Sequence, residues 1–360
     1  MNKHMKILVL PKDTNPYQEL LYNHMPNKIT KKYLTWPVNK LSILIFMPSL
    51  IMQLIYNRMI GFNTIHLHWT YPFSVDNRVP MHRYITTLNH FVFINALAIL
   101  KYKIVWTVHN ILPHEQESLN DTKVVRRIIK RSTLVIVHSS QILKEMADLG
   151  FETRNTRVIP IGSYDNIYTN TYSVHAARQK LLIKKNEIVI LFFGIVRPYK
   201  GLEILIKAIR ILNSANIKLI IAGKATENEY MLSLRTQSEG LRVEFYDQFI
   251  PDEDVCLYFA ACDLVCLPFK KITTSSSVLL GMAFKKAVVV PKMGIMHDFP
   301  ENSAFFYTNS TAEDLVKILR IAINQQSLRK VVELNGYEYS KSLNWQNISK
   351  LTYEAFREIL

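Results

Sequence analysis

Residues 188–212 read IVILFFGIVRPYKGLEILIKAIRIL. The first six, Ile188 to Phe193, form an unbroken apolar run rich in β-branched and aromatic side chains, which suits a strand buried on both faces. Gly194 removes the side chain at the end of that strand. Leu202, Leu205, Ile206 and Ile209 then recur at i, i+3, i+4 and i+7, the buried face of a helix. Strand, glycine turn and amphipathic helix in that order open a βαβ unit, and hence a parallel sheet.

The pattern extends in both directions. Downstream, strands are expected at Ile217 to Ala222, Val243 to Tyr246, Leu264 to Leu267, Val288 to Val290 and Ala304 to Tyr307. Upstream, a separate series runs through Lys6 to Leu10, Thr64 to His68, Ile104 to His109, Leu134 to His138 and Val158 to Ile161. Between the two series, Ser163 to Leu182 has no strand pattern and begins with turn-forming polar residues, as a linker would. The 360 residues therefore divide into two α/β domains, 1–170 and 171–340, each with a parallel sheet. Helices are expected at Ala312 to Ala322, Leu328 to Tyr339 and Trp345 to Ile359, the last within a closing segment 341–360.

Composition narrows the class. Cys256, Cys262 and Cys266 lie in apolar surroundings at a spacing that fits no usual zinc pattern, so buried reduced thiols are expected. The first residues, MNKHMKILVL, read as a strand and lack a cleavage site of small residues, which favours a cytoplasmic protein. A net charge of +15 suits a polyanionic partner: nucleic acid, an anionic membrane surface or a diphosphate. No recognised nucleic-acid module occurs, and the charge is spread along the chain, so nucleic acid is set aside. Residues 41–56, LSILIFMPSLIMQLIY, are too short to span a bilayer and contain Pro48. Two readings stay open for them: a helix lying in the membrane interface between basic flanks, with the protein peripheral on the inner face of the cell membrane, or a buried helix pair.

In open parallel sheets ligands bind beyond the carboxyl ends of the strands. There the sequence places Gly194, Arg197 and Lys200 after one strand, two cations suited to a diphosphate unless they are merely solvated. Ser275, Ser276 and Ser277 precede a helix expected from Val278 to Phe284. They could cap it, or leave its first N–H groups to phosphate oxygens. Asp252, Glu253 and Asp254 open another helix, where acidic side chains favour the dipole, and are read as structural rather than metal-binding.

FFGIVRPYKGLEILIKAI and, beginning at Phe249, FIPDEDVCLYFAACDLVCLPF resemble two motifs of the GT-B glycosyltransferases, especially glycosyltransferase family 4 and the related enzymes of bacterial exopolysaccharide and capsule assembly. TIHLHW at Thr64, WTVHNILPHE at Trp106 and LVIVHSS at Leu134 resemble the family's motifs in its first domain. The resemblance implies two Rossmann-like domains facing each other across a cleft. The first would bind a saccharide or lipid-linked acceptor, the second a nucleotide-sugar donor, and the closing helix would cross back to the first domain. The sugar donor is a substrate, and neither cofactor nor metal is implied. His109 would then face the donor sugar, with His68 and His138 on the acceptor side. Glu115 or His114 is a candidate base for an inverting reaction, bracing of the loop being the alternative, and Asp76 is a weaker candidate.

Several positions depart from the family pattern. Ile272 and Leu280 stand where many members carry two glutamates, Lys285 and Ala287 replace a usual glycine and proline, and Arg197 sits two positions late. A catalytically silent subunit supporting a partner, or a nucleotide-sugar epimerase on the same scaffold, are the alternatives. The second would need acid and base carboxylates that the C-terminal motifs scarcely offer.

Overall fold

The computed structural model describes all residues except 1–3, 14, 27–28, 36–42, 70–79, 114–115, 165–166, 169–170 and 360. The chain divides into two compact units: Met1–Gly162 together with Trp345–Leu360, and Ser163–Asn344. The division thus falls eight positions before the expected 170, and the closing segment begins at 345 rather than 341.

In unit 1 six parallel strands are described: β1 (Met5–Leu10), β2 (Ile29–Tyr33), β3 (Thr64–Leu67), β4 (Lys103–Thr107), β5 (Leu134–Val137) and β6 (Thr156–Val158). Their order in the sheet is β2-β1-β3-β4-β5-β6. Residues 7–10, 64–67 and 134–137 are buried throughout, the signature of a parallel sheet covered on both faces. The covering helices are α1 (Tyr17–Asn23), α2 (Ile43–Met59), α3 (Pro80–Ile99), α4 (Asp121–Arg131) and α5 (Ser140–Asp148). Where a hairpin of helices was one expectation, α2 is a single helix running through Pro48. It buries Met47, Leu50 and Leu54 in unit 1 and leaves other apolar side chains exposed. Among the described residues no helix is long and apolar enough to cross a membrane.

Unit 2 repeats the architecture with β7 (Ile188–Phe193), β8 (Ile217–Ala222), β9 (Val243–Tyr246), β10 (Leu264–Cys266), β11 (Ala287–Pro291) and β12 (Phe305–Tyr307). The parallel order is β12-β11-β10-β7-β8-β9. Its helices are α6 (Val174–Lys180), α7 (Leu202–Leu212), α8 (Asn228–Gln237), α9 (Asp252–Ala261), α10 (Ser276–Ala283), α11 (Ala312–Asn324) and α12 (Gln326–Ser342). The face of α7 read from the sequence is the buried one: Leu202, Leu205, Ile206 and Ile209. Asp252, Glu253 and Asp254 occupy the first turn of α9, and all three cysteines are buried and unpaired.

Helix α13 (Trp345–Glu358) returns the chain to unit 1. Phe356 is fully buried against the ring of His66, and Ser349 Oγ donates to Leu21 O over 2.8 Å. Lys103 donates to the carbonyl of Ile359, and Arg157 pairs with Glu358 at 2.9 Å. Gly162 gives Trp345 its place, since a Cβ there would lie 2.4 Å from the indole.

Candidate active site

Two groups of polar residues gather at the carboxyl ends of strands, one in each unit. In unit 2 the group begins where β7 and β8 end in Gly194 and Gly223. Their φ angles of +127° and +148° are closed to ordinary side chains, and a Cβ on Gly223 would stand 2.1 Å from Gly194 O. The two loops therefore meet backbone to backbone. A Cβ on Gly194 would lie 3.2 Å from Ser277 Oγ, so the β7 loop also abuts the first turn of α10. Gly194, Ser275, Ser276 and Ser277 are brought together by these contacts.

The start of α10 differs from those of α4, α5, α6 and α11, each preceded by a serine, threonine or asparagine. Asn120, Ser139 and Thr311 each cap their helix by accepting a backbone N–H from α4, α5 and α11. Ser275 occupies the same position before α10, yet makes no capping bond, and its buried Oγ has no hydrogen-bond partner among the described residues. A helix start left uncapped beside an unsatisfied hydroxyl has donors to spare for an anion.

Arg197 precedes the 3-10 turn Pro198–Lys200, and its Nε is likewise buried without a partner among the described residues. Lys200 is 8% exposed, with its Nζ 4.9 Å from the centroid of the Phe269 ring. Burial, and secondly the like charge of Arg197, push its pKa down to about 8. Glu203, in the first turn of α7, is already engaged by Lys270 and Tyr230 at 2.6 Å each. Ile272 and Leu280 are buried apolar side chains.

In unit 1, His66 and His68 lie two positions apart around the end of β3 and so share a face. His109 follows β4 and His138 follows β5. His68 Nδ1 lies 3.3 Å from His109 Nε2, and His109 stacks on Trp69 with centroids 4.3 Å apart. Tyr17 meets the rings of His68, His109, His138 and Trp345 edge-on at 4.9–5.8 Å. His66 is fixed between Tyr22 Oη and Thr107 Oγ1, each at 2.7 Å, and His138 Nδ1 donates to Ile159 O over 2.9 Å.

All four imidazoles are neutral. Burial holds His66 at about 3 and His138 at about 4, and it places His68 and His109 well below their usual range, helped by repulsion from neighbouring imidazoles. The Nε2 atoms of His68 and His138 are buried without partners among the described residues. Such a cluster offers neutral hydrogen-bonding groups and aromatic faces rather than charge. No group of three or more His, Cys, Asp or Glu residues among those described is arranged to hold a metal ion.

Thus His68, His109 and His138 come together in unit 1, and Gly194, Arg197, Lys200 and the three serines lie in unit 2. Glu115, His114 and Asp76 lie outside the described residues. His66, Tyr17 and Trp345 were missed from the sequence. The alternation of His66 and His68 could have shown the first, but the other two come from α1 and α13, remote along the chain.

Two units, each built on a six-stranded parallel sheet with its polar groups at the strand ends, define the GT-B class of glycosyltransferases. Residues 173–339 match the family model described as glycosyl transferases group 1. Among solved structures, HepE from Anabaena, determined in complex with UDP and glucose, superposes with a TM-score of 0.78 at 22% identity, covering 99% of this chain and 100% of the other. The sucrose-phosphate synthase of Thermosynechococcus elongatus gives the same TM-score at 16% identity, over 99% of each chain. In sequence, the GDP-mannose:glycolipid 4-beta-D-mannosyltransferase of Xanthomonas campestris pv. campestris is 21% identical over 282 residues, 78% of this chain and 70% of the relative.

Proposed function

We propose that this glycosyltransferase moves a sugar from a nucleotide diphosphate sugar to a lipid-linked saccharide in the synthesis of a bacterial surface polysaccharide, working in the cytoplasm. The observation that carries the donor half of this reading is the set of unsatisfied donors in unit 2. Ser275 Oγ, Arg197 Nε and the buried Lys200 have the spare hydrogen bonds and charge that a diphosphate would use. Charge developing on the departing diphosphate would be offset by Arg197 and Lys200 and by the uncapped start of α10, without need of a metal ion. His109 would orient the transferred sugar as a neutral hydrogen-bonding partner. His68 and His138 would serve the acceptor, with Glu115 as base if the reaction inverts. The names of the relatives support the substrate classes: UDP and glucose accompany HepE, and the Xanthomonas enzyme acts between GDP-mannose and a glycolipid.

The test is a thermal-shift screen against UDP, GDP, UDP-sugars and GDP-mannose, repeated with Arg197→Ala and Lys200→Ala. One nucleotide should raise the melting temperature, and both variants should abolish the shift, because a ligand bound only to the native state stabilises it by mass action. A well-folded protein that responds to none of them favours the silent subunit, a reading for which the apolar Ile272 and Leu280 speak.

A further inference from the structure

Helix α2 turns Leu50 and Leu54 into unit 1 but leaves Met52, Ile55, Tyr56 and Met59 exposed, Met52 at 66% and Met59 at 80%. These four recur at i, i+3, i+4 and i+7, so they form a continuous outer stripe rather than scattered surface residues. Helix α3, which packs against α2, exposes Met81, Tyr84 and Leu88, again at helical spacing. Contiguous exposed apolar residues, unlike scattered ones, mark an interaction surface.

The sequence of this stretch is predominantly basic, although Glu19 lies close to Lys31 and Asp121 opens the helix packed against α3. Neither helix contains an Asp or Glu. From Leu20 to Pro113 the sequence holds nine lysines and arginines against a single acidic residue, Asp76. Lys32 Nζ lies 5.4 Å over the Tyr56 ring and donates to Asn57 Oδ1 at 2.9 Å, beside the stripe. Lys6 Nζ donates to Ile60 O at 2.8 Å, just beyond the end of α2.

We propose that the exposed faces of α2 and α3 dock this protein onto an anionic lipid bilayer, lying in the interface without crossing it. Met52, Ile55 and Met59 enter the boundary between headgroups and acyl chains, Tyr56 sits at headgroup level, and Lys32 and its neighbours meet lipid phosphates. A second copy on this face would bring like charges together. A soluble polyanion would use the cations but gain nothing from Met52 and Met59. The inference stands on the surface alone and does not depend on the glycosyl transfer proposed above.

Co-sedimentation with vesicles tests it, using phosphatidylcholine alone and phosphatidylcholine with about 30% phosphatidylglycerol. The intact protein should bind the anionic vesicles, less so in high salt, and bind phosphatidylcholine weakly. The double variant Met52→Asp/Met59→Asp should lose about tenfold or more in affinity, since a few exposed apolar side chains dominate such partitioning. Leu232→Asp, at a comparably exposed apolar position on α8, should leave binding unchanged. Absence of binding to anionic vesicles would overturn the proposal. So would equal loss in Leu232→Asp, or binding indifferent to the double variant, which would mean adsorption by charge alone. A dimer dispersed by the double variant, without vesicle binding, would identify a second copy as the occupant. The nucleotide-induced thermal shift of the double variant should match that of the unaltered protein, which separates failure here from failure of the donor reading.

Discussion

Lys200 and Ser275 carry opposite lessons about buried polar groups. Lys200 is held near pKa 8 by its burial and, secondly, by the like charge of Arg197. At the proposed donor site a bound diphosphate would bring an opposite charge and raise that pKa again. Between about pH 8 and the liganded value, binding must therefore take up a proton, and affinity should fall by up to about tenfold per pH unit. Calorimetry in two buffers of different ionisation heat measures the uptake, and Lys200→Met should abolish both the uptake and the slope. Ser275 Oγ has no hydrogen-bond partner among the described residues, so Ser275→Ala should leave the melting temperature of the free protein nearly unchanged. Nucleotide affinity should nevertheless drop about five- to tenfold, one hydrogen bond to a charged group. A variant that unfolds instead would show the hydroxyl to be structural. The placement of these two residues was legible from the sequence because each lies in a contiguous stretch, Lys200 in the turn after a strand and Ser275 at a helix start. The imidazole cluster was only half legible, for its members reach one another through folding of β3, β4, β5, α1 and α13.

Among the elements, those with a double-sided apolar signature were the easiest to read. Strand β2 escaped because it is the edge of its sheet: Ile29, Lys31 and Tyr33 are half-buried while Thr30 and Lys32 face solvent. Lysines blunt an exposed edge, and in a sequence they look like a charged loop. Strand β6 ends at Val158 rather than Ile161, since Pro160 has no N–H for the ladder. The union of α13 with unit 1 could not be read from residues near Trp345 alone, because it depends on the missing side chain of Gly162. Gly162→Ala should push the indole from its place and lower stability by about 1–3 kcal/mol, the usual effect of an overpacked core. A denaturation curve read by tryptophan fluorescence checks this, with Gly240→Ala a poor substitute because its φ of +77° adds strain of its own.

At the scale of the molecule the two units should differ in their response to acid. The imidazoles of His66, His68, His109 and His138 stay neutral in the fold but protonate near pH 6.5 in an unfolded chain. Unfolded chains then bind more protons than folded ones, so this contribution to stability is complete above pH 6.5 and is lost as pH falls towards about 4. Each such group costs about 1.4 kcal/mol per pH unit across that window. All four tryptophans, Trp36, Trp69, Trp106 and Trp345, belong to unit 1. On acidification their fluorescence should therefore change before the far-ultraviolet circular dichroism that both units share. Coincident transitions would contradict the assignment. The return of α13 to unit 1 also sets an order of events on the ribosome. At roughly 5–20 residues per second, Ser163–Asn344 take on the order of 10–35 s to be made. Throughout that interval the nascent first unit lacks Trp345 and Phe356, with the pockets for both open to solvent. Unit 2 alone can be finished as a continuous stretch, so its synthesis is complete before that of the unit begun first.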